Sequence, residues 1–156
     1  MKQSISAIVF DREDSTTLEG VQQALAGVQA EIVSCASKEA LLNTIASSTV
    51  DVLVINLEKP FERSFELLFE IQTRSRDTEV IFVAPLDHET LWAWMEVIQR
   101  GAHEFLPEPF EPEELRYHLI QATRKHHSLS LRKLPSAGFL KDLNSALLHK
   151  TAQAGA

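Results

Sequence analysis

The chain is poor in cysteine and glycine. A single cysteine, Cys35, among 156 residues leaves no partner for an internal disulfide, which agrees with a reducing compartment and a structural role for that thiol. The five glycines form no glycine-rich loop opening a helix after the first apolar run, so the phosphate cradle of a nucleotide-binding protein is missing. No apolar stretch approaches the roughly 20 residues that a bilayer-spanning helix needs. The N-terminus also lacks the basic-then-apolar order of a secretory leader. By expectation the chain is cytoplasmic and does not engage membranes.

What is present is one core's worth of apolar residues and an uneven charge. At 44% hydrophobic, the length suits one domain plus a tail and is short for two. Residues 1–123 carry 9 Lys/Arg against 21 Asp/Glu, a net −12, whereas residues 124–156 carry 6 against 1, a net +5. An acidic body argues against nucleic-acid binding by this chain alone. The roughly 30 residues after the domain are also too few for a helix-turn-helix.

Short apolar runs alternate with longer amphipathic stretches. The runs Ile5–Phe10, Glu31–Ser34, Val52–Ile55, Val80–Val83 and Glu104–Leu106 have strand length. Between them, Ser15–Ala26, Lys38–Ser47, Arg63–Arg74, His88–Arg100 and Pro112–Lys125 space apolar residues as helices do. The last opens with "EPEEL", proline in the tolerated first turn and acids near the positive end of the dipole. Five βα units predict a doubly wound parallel sheet, because parallel strands need crossover connections.

In such sheets chemistry gathers beyond the carboxyl ends of the strands. Those ends are Asp11–Arg12–Glu13, Asn56, Ala84 and Pro107–Glu108–Pro109. In the flavodoxin-like order 2-1-3-4-5, Asp11 faces Asn56 across the switch point.

Three segments carry a family likeness. "DVLVINLEKP" holds Asn56 at the end of an apolar run with Pro60 four residues on; "EVIFVAPLDHE" and "GAHEFLPEPFEPEEL" follow in order. Over about Ser4 to Lys125 the chain resembles the receiver domain of bacterial two-component response regulators. The resemblance implies a flavodoxin-like (βα)5 fold, with a receiver-like domain over 1–127 and a linker and tail helix over 128–156. It also implies which positions to inspect. In the family an aspartate ending strand three accepts a phosphoryl group, an acidic pair after strand one helps hold magnesium, a serine or threonine ends strand four, and a lysine precedes the last proline. Here those positions read Asn56, Asp11–Arg12, Ala84 and Glu108.

Each departure removes a chemical capability. An amide is not an activated nucleophile, so Asn56 does not form an acyl phosphate. Arg12 puts a cation where the metal would sit, Ala84 has no hydroxyl, and Glu108 repels a phosphoryl oxygen. Arg12 and Glu108 exchange the signs of the family's two ends, which suggests a latch in which Arg12 pairs with Glu108, Asp11 or Glu58; Arg12 pointing into water is the alternative. Asn56 reads equally as a strand-end cap bonded to nearby backbone.

Function then falls to surfaces. In receivers the fourth helix, fifth strand and fifth helix commonly form the output or dimer face, and the candidate contacts there are Trp92, Met95, Phe105 and Tyr117. Within "ETLWAWMEVIQRGAHEF", Leu91, Trp94 and Ile98 are assigned to the core, leaving Trp92, with Met95 or Val97, partly exposed; a wholly buried broad stripe is the alternative. His126 and His127 read as a solvated helix end, since no carboxylate or cysteine ligand is spaced with them. The segment "FLKDLNSALLHK" repeats Leu140, Leu143 and Leu147 as a short amphipathic helix that docks back, pairs with a second copy, or leads to an effector domain.

Together these readings imply a phosphorylation-independent pseudo-receiver of a two-component or phosphorelay system. It acts through an unidentified protein partner, as a homodimer, with no catalytic residue, cofactor or metal. A conventional or ligand-gated receiver regulating a larger transcriptional or second-messenger protein is the alternative.

Overall fold

The computed structural model describes residues 4–11 and 16–131, except the side chains of 129–131. Arg12 and the tail positions Leu140, Leu143 and Leu147 therefore lie outside the described residues. Five strands alternate with five helices: β1 Ile5–Phe10, α1 Thr16–Ala24, β2 Ala30–Cys35, α2 Lys38–Ser47, β3 Val52–Asn56, α3 Phe61–Arg74, β4 Glu79–Pro85, α4 His88–Gln99, β5 Glu104–Glu108 and α5 Pro112–Leu131. All strand pairs are parallel and the order is β2-β1-β3-β4-β5, the flavodoxin-like arrangement. None of these helices is long and apolar enough to cross a membrane.

The side-chain period of two divides each central strand between two cores. Ile8, Phe10, Leu53, Ile55, Phe82 and Phe105 face α2, α3 and α4. Ala7, Val9, Val52, Val54, Ile81 and Val83 face α1 and α5. Burial on both faces explains why these runs are continuously apolar, as a covered parallel sheet requires.

Local chemistry sets several ends. Ser37 accepts from the Ala40 amide at 3.1 Å and caps α2. Asp87 and Thr90 form a reciprocal capping box at α4. After α4, Gly101 takes φ +101°, where a side chain would also meet Gln72 Nε2 at 2.6 Å. Gln72 Nε2 donates to the Arg100 carbonyl at 2.8 Å, fixing the end of α4 against α3.

Several expectations need correction. Helix α5 continues past Lys125, where the apolar spacing ends it, to Leu131. His126 is 5% exposed rather than solvated. Its Nδ1 meets the Asp77 carbonyl, and its Nε2 lies 3.4 Å from Asp51 Oδ1, with His127 Nε2 3.5 Å from the same oxygen. A carboxylate from the start of β3 is thus brought to histidines that local spacing left without one. Beside it, buried Glu79 approaches Lys125 Nζ at 3.5 Å and His103 Nδ1 at 3.6 Å.

Helix α4 also differs. Thr90, Ala93 and Val97 form its buried stripe, with Trp94 and Ile98 packed beside it. Val97 is therefore core, and Leu91, one residue off the stripe, is half exposed. Phe105 is 1% exposed and stacks on Trp94 with centroids 5.1 Å apart, so it belongs to the core rather than to a contact surface.

Truncating this stack tests that assignment. Phe105→Ala is expected to lower stability by about 3–5 kcal/mol and Phe105→Leu by far less, read from urea unfolding; an unchanged midpoint for Phe105→Ala overturns the core placement. A pH effect is expected at α4. The Thr90 backbone N–H, the largest influence, holds the Asp87 carboxyl below its ordinary 3.8, so the cap's contribution is complete above that value and is lost as pH falls through the lower folded-state value. The Thr90 amide chemical shift should report that acid transition by NMR and lose it in Asp87→Asn.

Candidate functional site

The carboxyl ends of the strands bring the marked residues to one edge of the sheet. Asp11 follows β1, half-buried, and its amide reaches the Cys35 carbonyl at 3.4 Å. Asn56 closes β3 beside Val83, while the Leu57 amide donates to the Val83 carbonyl at 2.9 Å. Ala84 sits in register with Pro107 at 1% exposure, and Glu108 ends β5 beside Pro85. Glu58 is exposed just beyond Asn56.

These residues do not line a single cleft. Asn56 and Glu58 border a recess of about 40 Å³ with Phe10, Lys59 and Arg63. Glu108 borders a wider groove of about 580 Å³ with Thr17, Gly20, Pro85 and Phe110. The smaller recess has space for water, which needs about 10–15 Å³ of such volume per molecule. Of the expected latch, Glu108, Asp11 and Glu58 are placed, while Arg12 lies outside the described residues.

Sequence reasoning missed the cation that ties this edge together. Lys59 Nζ lies 2.8 Å from Glu89 Oε2 and 3.4 Å from Asp87 Oδ2, joining the β3–α3 loop to the start of α4. The hydrogen bond to Glu89 is the main cause that raises Lys59 above the ordinary lysine value, opposed by desolvation and helped by Asp87. Its partners Asp87 and Glu89 lie 28 and 30 positions on, so the local signal is a lysine before the proline of the strand-three motif.

Magnesium prefers octahedral oxygen donors, usually with carboxylates among them. Asp11 supplies one carboxylate, Asn56 only an amide oxygen and Ala84 no donor. Among the described residues that is a sparse donor set for the ion. Among the described residues no group of three or more His, Cys, Asp or Glu is arranged to hold a metal.

The surface candidates separate onto different flanks. At about 100° per residue, Trp92, Glu96 and Arg100 lie on one side of the α4 stripe, and Leu91 and Met95 on the other. The contacts agree: Trp92 meets Phe65 of α3 edge-on at 5.8 Å, whereas Trp94 leans to Phe105 of β5. Trp92 is thus exposed, but toward α3 rather than toward β5 and α5. Met95 is 52% and Tyr117 60% exposed, the latter on the outer side of α5 from buried Leu115 and Leu119.

Residues 8–120 match the model of the response regulator receiver domain family. The DNA-binding transcriptional regulator NtrC of Escherichia coli K12 is 31% identical over 108 residues, which make up 69% of this chain and 23% of that protein. The chain therefore spans about a quarter of the length of this curated relative. Among solved structures, the signal receiver domain of an HD domain-containing protein from Pseudomonas fluorescens Pf-5 superposes with a TM-score of 0.70 at 22% identity, covering 82% of this chain and 93% of that one. A response regulator receiver domain protein from Clostridium thermocellum does so at 0.67 and 20% identity, covering 80% and 98%. At these identities the structures speak for the fold, and the family match over the sheet and its strand-end residues decides membership: the chain belongs to the response regulator receiver domain family.

Proposed function

We propose that the chain is a phosphorylation-independent pseudo-receiver, a non-enzymatic cytoplasmic module of a two-component or phosphorelay system that works by binding a protein partner. The observation that carries this reading is Asn56 at the end of β3, in a recess of about 40 Å³ with a neutral amide where the chemistry of phosphoryl acceptance needs a carboxylate. Ala84 and Glu108 support it, since neither helps a phosphoryl oxygen bind. The domain occupies residues 1–127, followed by a linker and tail over 128–156. Output runs through the α4-β5-α5 face, where Leu91, Met95 and Tyr117 offer exposed apolar surface, and two copies associate there. The chain uses no cofactor or metal and does not bind nucleic acid by itself.

A second reading is favoured by the length of the relatives. Because the chain aligns with only 23% of NtrC, it also fits a conventional or ligand-gated receiver that regulates a larger transcriptional or second-messenger protein.

Intact mass after incubation with acetyl phosphate and magnesium separates the two. The parent chain should gain no phosphoryl group, and Asn56→Asp should stay unmodified or nearly so because Ala84, Glu108 and Arg12, which follows Asp11 in place of a second acid, still disfavour the reaction; a stoichiometric increment on the parent restores the conventional reading. For the face, Leu91→Asp with Met95→Asp should shift sedimentation from dimer to monomer without lowering the thermal midpoint. A parent that sediments as a monomer throughout the micromolar range overturns the dimer.

A further inference from the structure

The outer side of α3 carries the most exposed large apolar side chain among the described residues, Phe69 at 69%. It borders an open recess of about 540 Å³, lined also by Glu62, Phe65, Glu66 and Glu70 of the same helix and by Arg100, the residue after α4. These α3 positions recur at spacings of three and four, so a row of acids runs beside a row of rings along one side of the helix. Core packing accounts for Phe65, which is buried, and leaves Phe69 in water.

The charges in the recess do not balance. Glu70 pairs with Lys38 of α2 at 2.6 Å and Arg100 with Glu96 at 3.2 Å, while Glu62 and Glu66 pair with no cation among the described residues. Arg63, between them in sequence, borders the Asn56 recess instead. The two unpaired carboxylates stand about 6 Å apart along the helix. They repel phosphate, which argues against a nucleic acid or an anionic lipid surface as the occupant. Two copies set face to face would oppose the same acids, so this side of α3 does not suit self-association.

The chain contains an example of what fits. The Arg100 guanidinium lies over the Phe65 ring, 4.7 Å from its centre, and donates from Nε to Glu96 Oε2 at 3.2 Å. Phe69, with Glu66 one turn before it, repeats that combination of ring and acid without a cation among the described residues.

We propose that α3 docks a protein partner through two arginines one helical turn apart, the first with its guanidinium over the Phe69 ring and bonded to Glu66, the second bonded to Glu62. Arginine suits both contacts better than lysine, because its guanidinium is flat, weakly hydrated and meets a carboxylate with two N–H donors. The surface uses neither Asn56 nor Leu91 and Met95, so it goes beyond the pseudo-receiver reading and its failure would leave that reading standing.

The test titrates the nitrogen-15-labelled full chain with an alanine-based helical peptide carrying two arginines four positions apart, beside versions with lysine or citrulline in both places. Amide shifts should concentrate in residues 61–74 and at Arg100. The lysine peptide should bind about twofold or more weaker and the citrulline peptide about fivefold or more weaker. Phe69→Ala should cut affinity for the arginine peptide about threefold, and Glu62→Gln with Glu66→Gln about fivefold. All three side chains are exposed, so these variants keep the fold. No shift at millimolar peptide, equal binding of the arginine and lysine peptides, shifts spread over other acidic parts of the body, or affinity that the substitutions leave unchanged would each overturn the proposal. Altered sedimentation of the peptide-free chain on Glu62→Gln with Glu66→Gln would place a second copy on this surface and overturn it too.

Discussion

The sheet is tied at its lower edge by Asp51. Its amide donates to the Ser6 carbonyl at 2.9 Å, its carbonyl accepts from the Glu79 amide at 3.1 Å, and its carboxylate accepts from the Ser6 amide at 2.8 Å. The same carboxylate meets His126 and His127 of α5. One buried residue therefore registers β1, β3 and β4 and sets where α5 lies across them. A carboxylate at 4% exposure is tolerable only with such partners, because an unpaired buried charge costs several kcal/mol. His126 completes the tie, with Nδ1 against the Asp77 carbonyl and Nε2 beside Asp51.

That lower edge lies at the opposite end of the strands from Asn56, Ala84 and Glu108. Receiver chemistry lies at the carboxyl ends of β1, β3, β4 and β5, while Asp51, Glu79, His103 and Lys125 hold the amino ends together. Asn56 and Ala84 take no part in those lower contacts. Ala84 even joins the α3–α4 core, where a hydroxyl would need its own partner. Fold and reaction are separable in this architecture, and Lys59 shows the upper edge is still held, now by ion pairs to Asp87 and Glu89.

The same separation governs what was legible in the sequence. Strands buried on both faces write themselves as continuous apolar runs, so β1 is legible over Ile5–Phe10, and the apolar spacing of Lys38–Ser47 gives α2 its bounds. The strand-end positions of Asn56, Ala84 and Glu108 were equally readable, because a short motif places them. Contacts between distant segments left no such trace. Asp51 and His126 are each unremarkable locally, and only the parallel topology brings them together, 75 positions apart. Helix α4 misled in another way: Leu91, Trp92, Trp94, Met95, Val97 and Ile98 wrap too far round for periodicity to choose a stripe, and packing of Trp94 on Phe105 made the choice.

That choice gives α4 two unlike flanks. Packing Trp94 toward β5 turns Leu91 and Met95 to the side that continues toward β5, and turns Trp92 toward Phe65 of α3. Gln72, bonded to the carbonyl of Arg100, then locks the helix against α3, while Lys59 holds its first turn. Leu91 and Met95 on one flank and Trp92 on the other are therefore separate surfaces of one helix, divided by the buried stripe that Trp94 and Phe105 hold against the sheet.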